Sequence, residues 1–321
     1  MRGEGWLDGA AAPKPRCGRL FQIMSKRFVI SRAILFLLLI FSPILYSQSG
    51  APSQSGGVQR EDWWANREKW NTPIPDKPVF AGKKSGPAPR RDLSGAWDGV
   101  AEGGTQPKGA KDYPDDASHR PEPPYTPLGK EARARNKPGE GEEQVPIGLV
   151  NDPVDSCDPV GFPRIDLFSL KAMTIVQTPN YVVWLNQFYN VYRIIWTDGR
   201  ELPKDPEPRY YGYSVGHWKD DYNFVVDTVG MDERTWLDNV GRPHSSALHV
   251  VELFHRVNRD ILQLTVTIDD PKMYAKPWVA ADKLTLHLLP PDFDMGEMIC
   301  SPSEMSNYKK LVANPVSGGG K

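Results

Sequence analysis

The stretch that decides the fold, residues 212–257, reads GYSVGHWKDDYNFVVDTVGMDERTWLDNVGRPHSSALHVVELFHRV. It contains three runs rich in valine, phenylalanine and other residues typical of strands. A short turn at residues 219–221 separates the first two runs, and a polar loop at residues 231–246 separates the second from the third. The spacing predicts three neighbouring β-strands with one long loop between them.

More strand-like runs lie before and after this stretch. The clearest alternation is at residues 261–269, where Leu262, Leu264, Val266 and Ile268 face one way. About nine short strands are predicted in all, at residues 93–100, 173–178, 181–188, 191–197, 211–218, 222–229, 247–257, 261–269 and 283–289. This predicts an all-β protein in which an antiparallel meander closes into a lipocalin-like barrel, because closure removes exposed strand edges. A two-sheet β-sandwich is the alternative.

The first residues of the chain carry a targeting pattern. A basic segment beginning at Met24 precedes an apolar run at residues 33–45, which predicts a secretory signal peptide at residues 24–47. The run is short for a membrane anchor, the alternative, since a span needs about 20 apolar residues. We therefore expect a periplasmic or secreted protein that meets the membrane only through this peptide before its cleavage. Residues 1–23 look like an extension upstream of the true start.

The rest of the chain divides by composition. Residues 48–90 are rich in serine, glycine, proline and charge, which predicts a flexible linker in a disordered amino-terminal region. Residues 91–156 are expected to be a lead-in with one strand and a short helix, residues 157–310 the β-barrel domain, and residues 311–321 a disordered tail. The basic residues of the short helix are expected to form a solvated face: Lys130, Arg133 and Arg135.

Two cysteines, Cys157 and Cys300, remain after the predicted signal cleavage. An even number in an oxidising compartment favours a disulfide between them. Two free thiols are the alternative. Neither cysteine lies beside a histidine, so we expect no reactive cysteine.

Charge and motifs exclude several function classes. The 321 residues carry 39 basic and 40 acidic side chains, so there is no basic excess for nucleic-acid binding. The sequence has no glycine-rich phosphate loop, no serine nucleophile elbow and no zinc-ligand spacing. We therefore expect no cofactor and no metal, and we expect a small molecule as the partner. The oligomeric state is left open.

The polar loop supplies the main catalytic candidates, Asp238 and His244. Gly241 and Pro243 lie between them and allow the loop to fold the two side chains together. An aspartate that orients a histidine gives a general acid or base near neutral pH. Asp227, in the preceding strand, is a further candidate. The alternative is that Asp238 caps a turn, which leaves His244 as a partly buried hydrogen-bonding residue.

Glu252 is the fourth catalytic candidate. It shares one strand face with Val250, Phe254 and Arg256. If that face points inward, Glu252 is a carboxylate in an apolar interior with a raised pKa, which suits a general acid. The alternative is an ordinary ion pair with Arg256. The opposite face is also mixed, so the alternation leaves both interpretations open.

The candidate ligand-binding residues are three tryptophans and one aspartate. Trp97, two residues after a glycine, is typical of the opening of lipocalin-like barrels, where the ring closes one end. The predicted strands place Asp269 and Trp278 at the barrel mouth, and aromatic-rich mouths suit sugars or flat apolar rings. A structural role at a strand end is the alternative for Asp269. Trp236, in the polar loop, completes the set.

Several short motifs occur in a defined order along the chain. They are GFPR at residues 161–164, IVQTP at 175–179, DGR at 198–200, GYSVGHW at 212–218, VDT at 226–228, TWLD at 235–238, PHS at 243–245 and TIDDP at 267–271, followed by Pro277 and Trp278. Over about residues 155–310, this order resembles an uncharacterised family of exported β-rich bacterial proteins common in acidobacteria and proteobacteria. That group more often has an acidic-Gly-Asp turn at residues 219–221. The resemblance implies export and no particular activity.

Three functions are compatible with these patterns. The favoured hypothesis is an exported protein that binds a small apolar or amphipathic ligand in a β-barrel. The first alternative is an acid/base enzyme, such as a hydrolase, hydratase or isomerase, in which Asp238 and His244 work with help from Glu252 or Asp227. The second alternative is an envelope structural or interaction protein that makes its contacts through residues 48–90.

Overall fold

The computed structural model describes residues 79–80, 82–98, 122–141, 143–167 and 172–313. The predicted upstream extension at residues 1–23 and the predicted signal peptide at residues 24–47 lie outside this part of the chain. Most of the predicted linker and the end of the predicted tail also lie outside it.

Nine strands form one closed barrel in which strand order follows the sequence and β1 pairs with β9. The predicted all-β barrel is therefore confirmed, and the sandwich is not formed. The strands are β1 (Gly95–Asp98), β2 (Met173–Gln177), β3 (Tyr181–Asn186), β4 (Val191–Trp196), β5 (Tyr213–Trp218), β6 (Asn223–Val229), β7 (His249–Arg256), β8 (Ile261–Asp269) and β9 (Trp278–Leu288). The ninth strand begins at Trp278 and not at residue 283, as predicted. Its pairing with β8 shifts register at bulges near Val266, and the strand continues on both sides of them.

The prediction of antiparallel pairing throughout is wrong at one place. β4 and β5 run parallel and share only two paired positions, Ile195 with Ser214 and Trp196 with Val215. Parallel neighbours need a crossover of a dozen or more residues rather than a hairpin. The loop at residues 197–212 contains three prolines and provides that crossover. We call this junction the β4–β5 seam.

Large apolar side chains fill the barrel interior. Alternate residues of each strand point inward, and Trp97, Trp184, Phe224 and Phe254 are at most 1% exposed. Near one barrel end, the Trp97 indole donates a hydrogen bond to the carbonyl of Leu93 at 3.0 Å. The guanidinium of Arg256 lies 4.3 Å from the centre of the same indole. Trp97 is therefore part of the packed core.

A short segment closes the other end of the barrel, where β6 ends and β7 begins. It contains a cis peptide bond between Phe162 and Pro163 and the short helix α2 (Arg164–Leu167). Its apolar side chains join the interior core, and the Phe162 amide donates to the carbonyl of Tyr210 at 2.9 Å. Gly161 has a φ of +77° and packs tightly against Thr235, so a side chain at this position would clash. We call residues 160–167 the plug.

The segments outside the barrel pack against it. Helix α1 (Pro127–Arg135) begins at Thr126, whose side chain accepts a hydrogen bond from the Gly129 amide at 3.0 Å. Arg133, predicted to be solvated, is buried at 7% exposure, because this side of the helix faces the loop at residues 231–248.

The end of the predicted linker is also docked on the barrel. The Arg259 amide donates to the Gly86 carbonyl at 3.1 Å, and the Arg91 amide donates to the Asp221 carbonyl at 2.7 Å. Residues 82–90 therefore do not behave as the flexible linker that composition predicts, since their backbone groups pair with turns of the barrel.

A disulfide joins Cys157 to Cys300, as predicted, with 5.5 Å between the two Cα atoms. It links the residues just before the plug to the segment after β9. That segment continues as helix α3 (Pro302–Tyr308) and a π-helical turn (Lys309–Ala313). The ordered chain thus extends past residue 310, where the sequence predicts a disordered tail. Across the described ranges, no helix is long and apolar enough to span a bilayer.

Candidate functional site

Asp238 and His244 do not form the predicted pair. Asp238 Oδ2 accepts a hydrogen bond from Arg242 Nη1 at 2.8 Å, and its Oδ1 accepts from the amides of Val240 and Arg242. The carboxylate therefore caps its own turn and neutralises a buried arginine. This is the turn-capping alternative that the sequence left open.

His244 is buried in the same loop with a different partner. Its Nε2 lies 2.8 Å from the Thr235 hydroxyl, and its Nδ1 lies 3.3 Å from the Ser245 carbonyl oxygen. Burial lowers the pKa of the imidazole, because desolvation disfavours the charged form. His244 and Trp236 line a small recess of about 260 Å³.

Asp227 and the two residues at the predicted mouth lie away from this loop site. Asp227 Oδ1 is 2.9 Å from His249 Nε2 on the outer face of the barrel. Asp269 ends β8 opposite His249, and Trp278 begins β9 with its ring 5.4 Å from that of Tyr274. Asp227, like Asp238 and His244, therefore has a hydrogen-bond partner of its own.

Glu252 is inside the barrel, as the first of its two interpretations expects. Its carboxylate is fully buried and pairs with Arg193 of β4, whose Nη1 donates to Oε1 at 3.0 Å and whose Nη2 donates to Oε2. The alternative prediction, an ion pair between Glu252 and Arg256, is therefore wrong. Arg193 also donates to the hydroxyls of Ser214 at 3.0 Å and Thr228 at 2.8 Å. We call these four residues, Arg193, Ser214, Thr228 and Glu252, the interior network.

The plug adds a second carboxylate to this network. Asp166 Oδ2 lies 3.8 Å from Arg193 Nη1, and the side chain is 1% exposed. Burial and then the negative charge of Glu252 raise the pKa of Asp166 well above its usual range, although Arg193 opposes the shift. The Phe162 ring lies 3.9 Å from the Arg193 guanidinium carbon. The guanidinium of Arg193 thus contacts two buried carboxylates, those of Glu252 and Asp166, and the ring of Phe162.

A cleft of about 770 Å³ opens along the β4–β5 seam. The two strands share only two paired positions, at the end of β4 and near the start of β5. The first four residues of β4 therefore have no partner in β5, and residues of the crossover loop line the cleft beside them. Five aromatic residues line the cleft: Tyr192, Trp196, Tyr210, Tyr211 and Tyr213. Burial raises the pKa of Tyr211 to about 12, so its hydroxyl is neutral at physiological pH. We call this space the seam cleft.

Three arginines and one glutamate, Glu201, are the charged residues in the lining of the seam cleft. Arg193 reaches it from the interior network, as does Ser214. Arg200 stacks on Trp196 at 3.5 Å and forms an ion pair with Asp198 at 2.6 Å. Arg209 stacks on Tyr213 at 4.1 Å. No ion pair within the described residues includes Arg209, so its charge is available to a ligand.

Sequence reasoning did not find Arg193, Asp166 or the aromatic residues that line the seam cleft. The interior network joins residues 59 positions apart, so no local spacing reveals it. One signal was present, since Arg193 and Glu252 are opposite charges that each interrupt an apolar strand face. No group of three or more metal-ligating side chains is found in the described ranges.

No known protein family, curated protein or solved structure matches the chain. The resemblance to the exported bacterial family therefore stays a prediction.

Proposed function

We propose that the protein binds a small amphipathic ligand in the seam cleft of its barrel wall. The observation that supports this proposal is the cleft itself. It has a volume of about 770 Å³ and is lined by five aromatic side chains and three arginines. This volume falls within the range of about 300–1,000 Å³ that small-molecule sites usually occupy.

The filled interior favours a binding site in the barrel wall over one in the lumen. Lipocalin-like binding needs an empty barrel, whereas Trp184, Phe254 and the plug residue Phe162 occupy this one. Opening a lumen of ligand size would remove several large side chains from contact. Each such loss costs several kcal/mol, since truncation of one buried aromatic costs about 3–5 kcal/mol.

The lining residues define the class of ligand. Rings and aliphatic side chains such as Leu202 would cover an apolar body. Arg209 lies at the exposed side of the cleft without a carboxylate partner in the described part of the chain, and it would receive an anionic head group. Arg200 contributes less, because Asp198 already neutralises it. A fatty acid or an aryl carboxylate has this combination of groups.

We also propose that the protein works outside the cytoplasm, in the periplasm or after secretion. The Cys157–Cys300 disulfide supports this, because such bonds persist in oxidising compartments. The predicted signal peptide at residues 24–47 points the same way. Thiol alkylation of the protein directly after cell lysis should leave both cysteines unlabelled, and labelling of both would contradict export.

Calorimetric titration with three ligands of equal chain length tests the cleft. We expect laurate to bind more tightly than dodecanol, and dodecylamine to bind least, because the head group meets Arg209. Arg209→Met should weaken laurate binding by about tenfold, the value of one charge-assisted hydrogen bond. Arg200→Met should have a smaller effect.

A blocking substitution locates the ligand. Val215→Trp would fill the seam cleft, since Val215 lines it. Val225→Trp places the same bulk on the neighbouring strand, outside the cleft lining. Loss of laurate binding only in Val215→Trp supports the proposal. Equal binding in both variants would refute it.

The other two functions have weaker support. The enzyme alternative relied on Asp238 and His244, which have separate hydrogen-bond partners. The interaction alternative relied on residues 48–90, of which only the last part is described, and that part packs on the barrel.

A further inference from the structure

A second recess lies between helix α1 and the turn that Asp238 caps. Its volume is about 570 Å³, and it shares no lining residue with the seam cleft. Two arginines line it, Arg133 from the helix and Arg242 from the turn. Lys130 and Tyr125 are also in the wall.

Both arginines are fixed in place and nearly removed from solvent. Their side chains are 9% and 2% exposed for Arg133 and Arg242, respectively. Arg242 is oriented by the hydrogen bond from its Nη1 to Asp238 at 2.8 Å. A rigid, desolvated guanidinium is a strong binder of oxyanions, because little entropy is lost on binding.

The donors of this recess exceed its acceptors. Four buried polar atoms have no hydrogen-bond partner in the described residues: Nε and Nη1 of Arg133, Nε of Arg242 and the hydroxyl of Tyr125. A buried donor without an acceptor is unfavourable, and native proteins contain few of them. Four such atoms around one recess indicate an absent acceptor.

Within the described residues, two exposed carboxylates reach the arginines from the rim. Glu143 Oε2 is 2.7 Å from Arg133 Nη2, and its side chain is 62% exposed. Glu122 Oε1 is 4.0 Å from Arg242 Nη2, and its side chain is 66% exposed. Because both glutamates are more than half exposed, solvent screens these ion pairs, and they contribute less than fully buried pairs do.

We propose that this recess is a binding site for an oxyanion, such as a phosphate or a carboxylate group. The anion would lie between the guanidinium groups of Arg133 and Arg242, with Tyr125 and Lys130 as further donors. Glu143 would move aside into solvent, since its carboxylate lies at the Arg133 end of the recess.

Titration with inorganic phosphate, sulfate, acetate and glycerol phosphate at constant ionic strength tests the site. The readouts are calorimetric heat and the side-chain NMR signals of arginine Nε–H groups. Saturable binding that shifts the Arg133 and Arg242 signals is expected. Preference for acetate assigns the site to carboxylates, and preference for glycerol phosphate over phosphate assigns it to phosphate esters. The absence of saturable binding by all four anions would overturn the proposal.

Matched variants on helix α1 separate the site from general charge effects. Arg133→Met should abolish binding, whereas Arg135→Met should leave it unchanged, because Arg135 is exposed and pairs with Glu131. Glu143→Gln should tighten phosphate binding by about threefold, since it removes one like charge near the anion. Glu131→Gln removes a similarly exposed carboxylate, which lies on helix α1 and pairs with Arg135, and it should have no effect.

If Arg133→Met fails to fold, the comparison of Glu143→Gln with Glu131→Gln still tests the oxyanion site. Tighter binding in Glu143→Gln alone supports the oxyanion site. Equal affinity in Glu143→Gln and Glu131→Gln would show that the rim carboxylate does not compete with a ligand, and the proposal would fail.

Discussion

Replacing Arg193 with methionine should destabilise the protein more than any other single loss of charge in the barrel. The side chain is 4% exposed and Glu252 is fully buried, so solvent does not screen their interaction. Two of the hydrogen bonds from Arg193 go to this carboxylate. Each charge-assisted bond contributes about 1.5–3 kcal/mol, which gives about 3–6 kcal/mol together.

Two further effects are small: the loss of the hydroxyl contacts adds little to this figure, and the removal of the guanidinium reduces it. Ser214 and Thr228 lose a donor, but their hydroxyls lie 3.0 Å apart and can still pair with each other. Methionine also avoids the desolvation cost of the guanidinium. We therefore expect Arg193→Met to lower the free energy of unfolding by about 3–5 kcal/mol, the usual cost of breaking a buried ion pair.

Urea denaturation of the oxidised protein, followed by tryptophan fluorescence, measures this loss. Arg200→Met is the matched control, since Arg200 also pairs with an aspartate and stacks on a ring but is exposed. It should cost no more than about 1 kcal/mol. The double variant Arg193→Met with Glu252→Met removes both charges, so it should be more stable than Arg193→Met alone. A loss below about 1 kcal/mol in Arg193→Met, or a double variant as unstable as the sum of its parts, would refute the assigned network.

Three further predictions concern the plug, the disulfide and the seam. Asp166 has a raised pKa in the folded state, so its contribution to stability is complete below its ordinary pKa of about 3.9 and is lost as pH rises through the raised value. Asp166→Asn should remove this decline from a series of urea unfolding curves at increasing pH, and parallel profiles for both proteins would contradict it. Removal of the disulfide by Cys157→Ser with Cys300→Ser should lower the unfolding free energy by at most about 5 kcal/mol, the chain-entropy value for cysteines 143 positions apart, as calorimetry can measure. Gly216→Ala places a methyl group 2.8 Å from Ile195 Cγ2 and against Phe224, so it should cost about 1–3 kcal/mol in the same urea assay, whereas His217→Ala on the exposed face of β5 should stay within about 0.5 kcal/mol.

The strands could be predicted because their periodicity is local. In β8 the alternation of buried Leu262, Leu264, Val266 and Ile268 is the pattern that the sequence shows, and the turns between strands carry their own residue signals. The disulfide followed from the cysteine count and the predicted compartment. These features depend on residues that are adjacent or few, so a single sequence is sufficient to find them.

The site could not be predicted in the same way, because its contacts join distant strands. Asp238 and His244 are close in sequence, which suggested a pair, but each has a nearer partner in Arg242 and Thr235. Proximity in a loop does not determine which of several polar neighbours a side chain meets. The partner of Glu252 lies on another strand, and only the barrel brings the two together.

The position of the seam cleft follows from the number of strands. Around a ring of strands, alternating directions close only if the number is even, so a nine-stranded barrel must contain at least one parallel pair. The closing pair, β1 with β9, is antiparallel, so the parallel pair is formed by consecutive strands. Such a pair needs a connection of a dozen or more residues, which limits it to the segments at residues 99–172, 197–212 and 230–248. The second segment is the one that crosses over, and the pair it creates is joined at only two positions. The wall therefore opens at the one place where antiparallel pairing cannot continue, and Tyr210, Tyr211 and Tyr213 lie there because the crossover ends beside the opening.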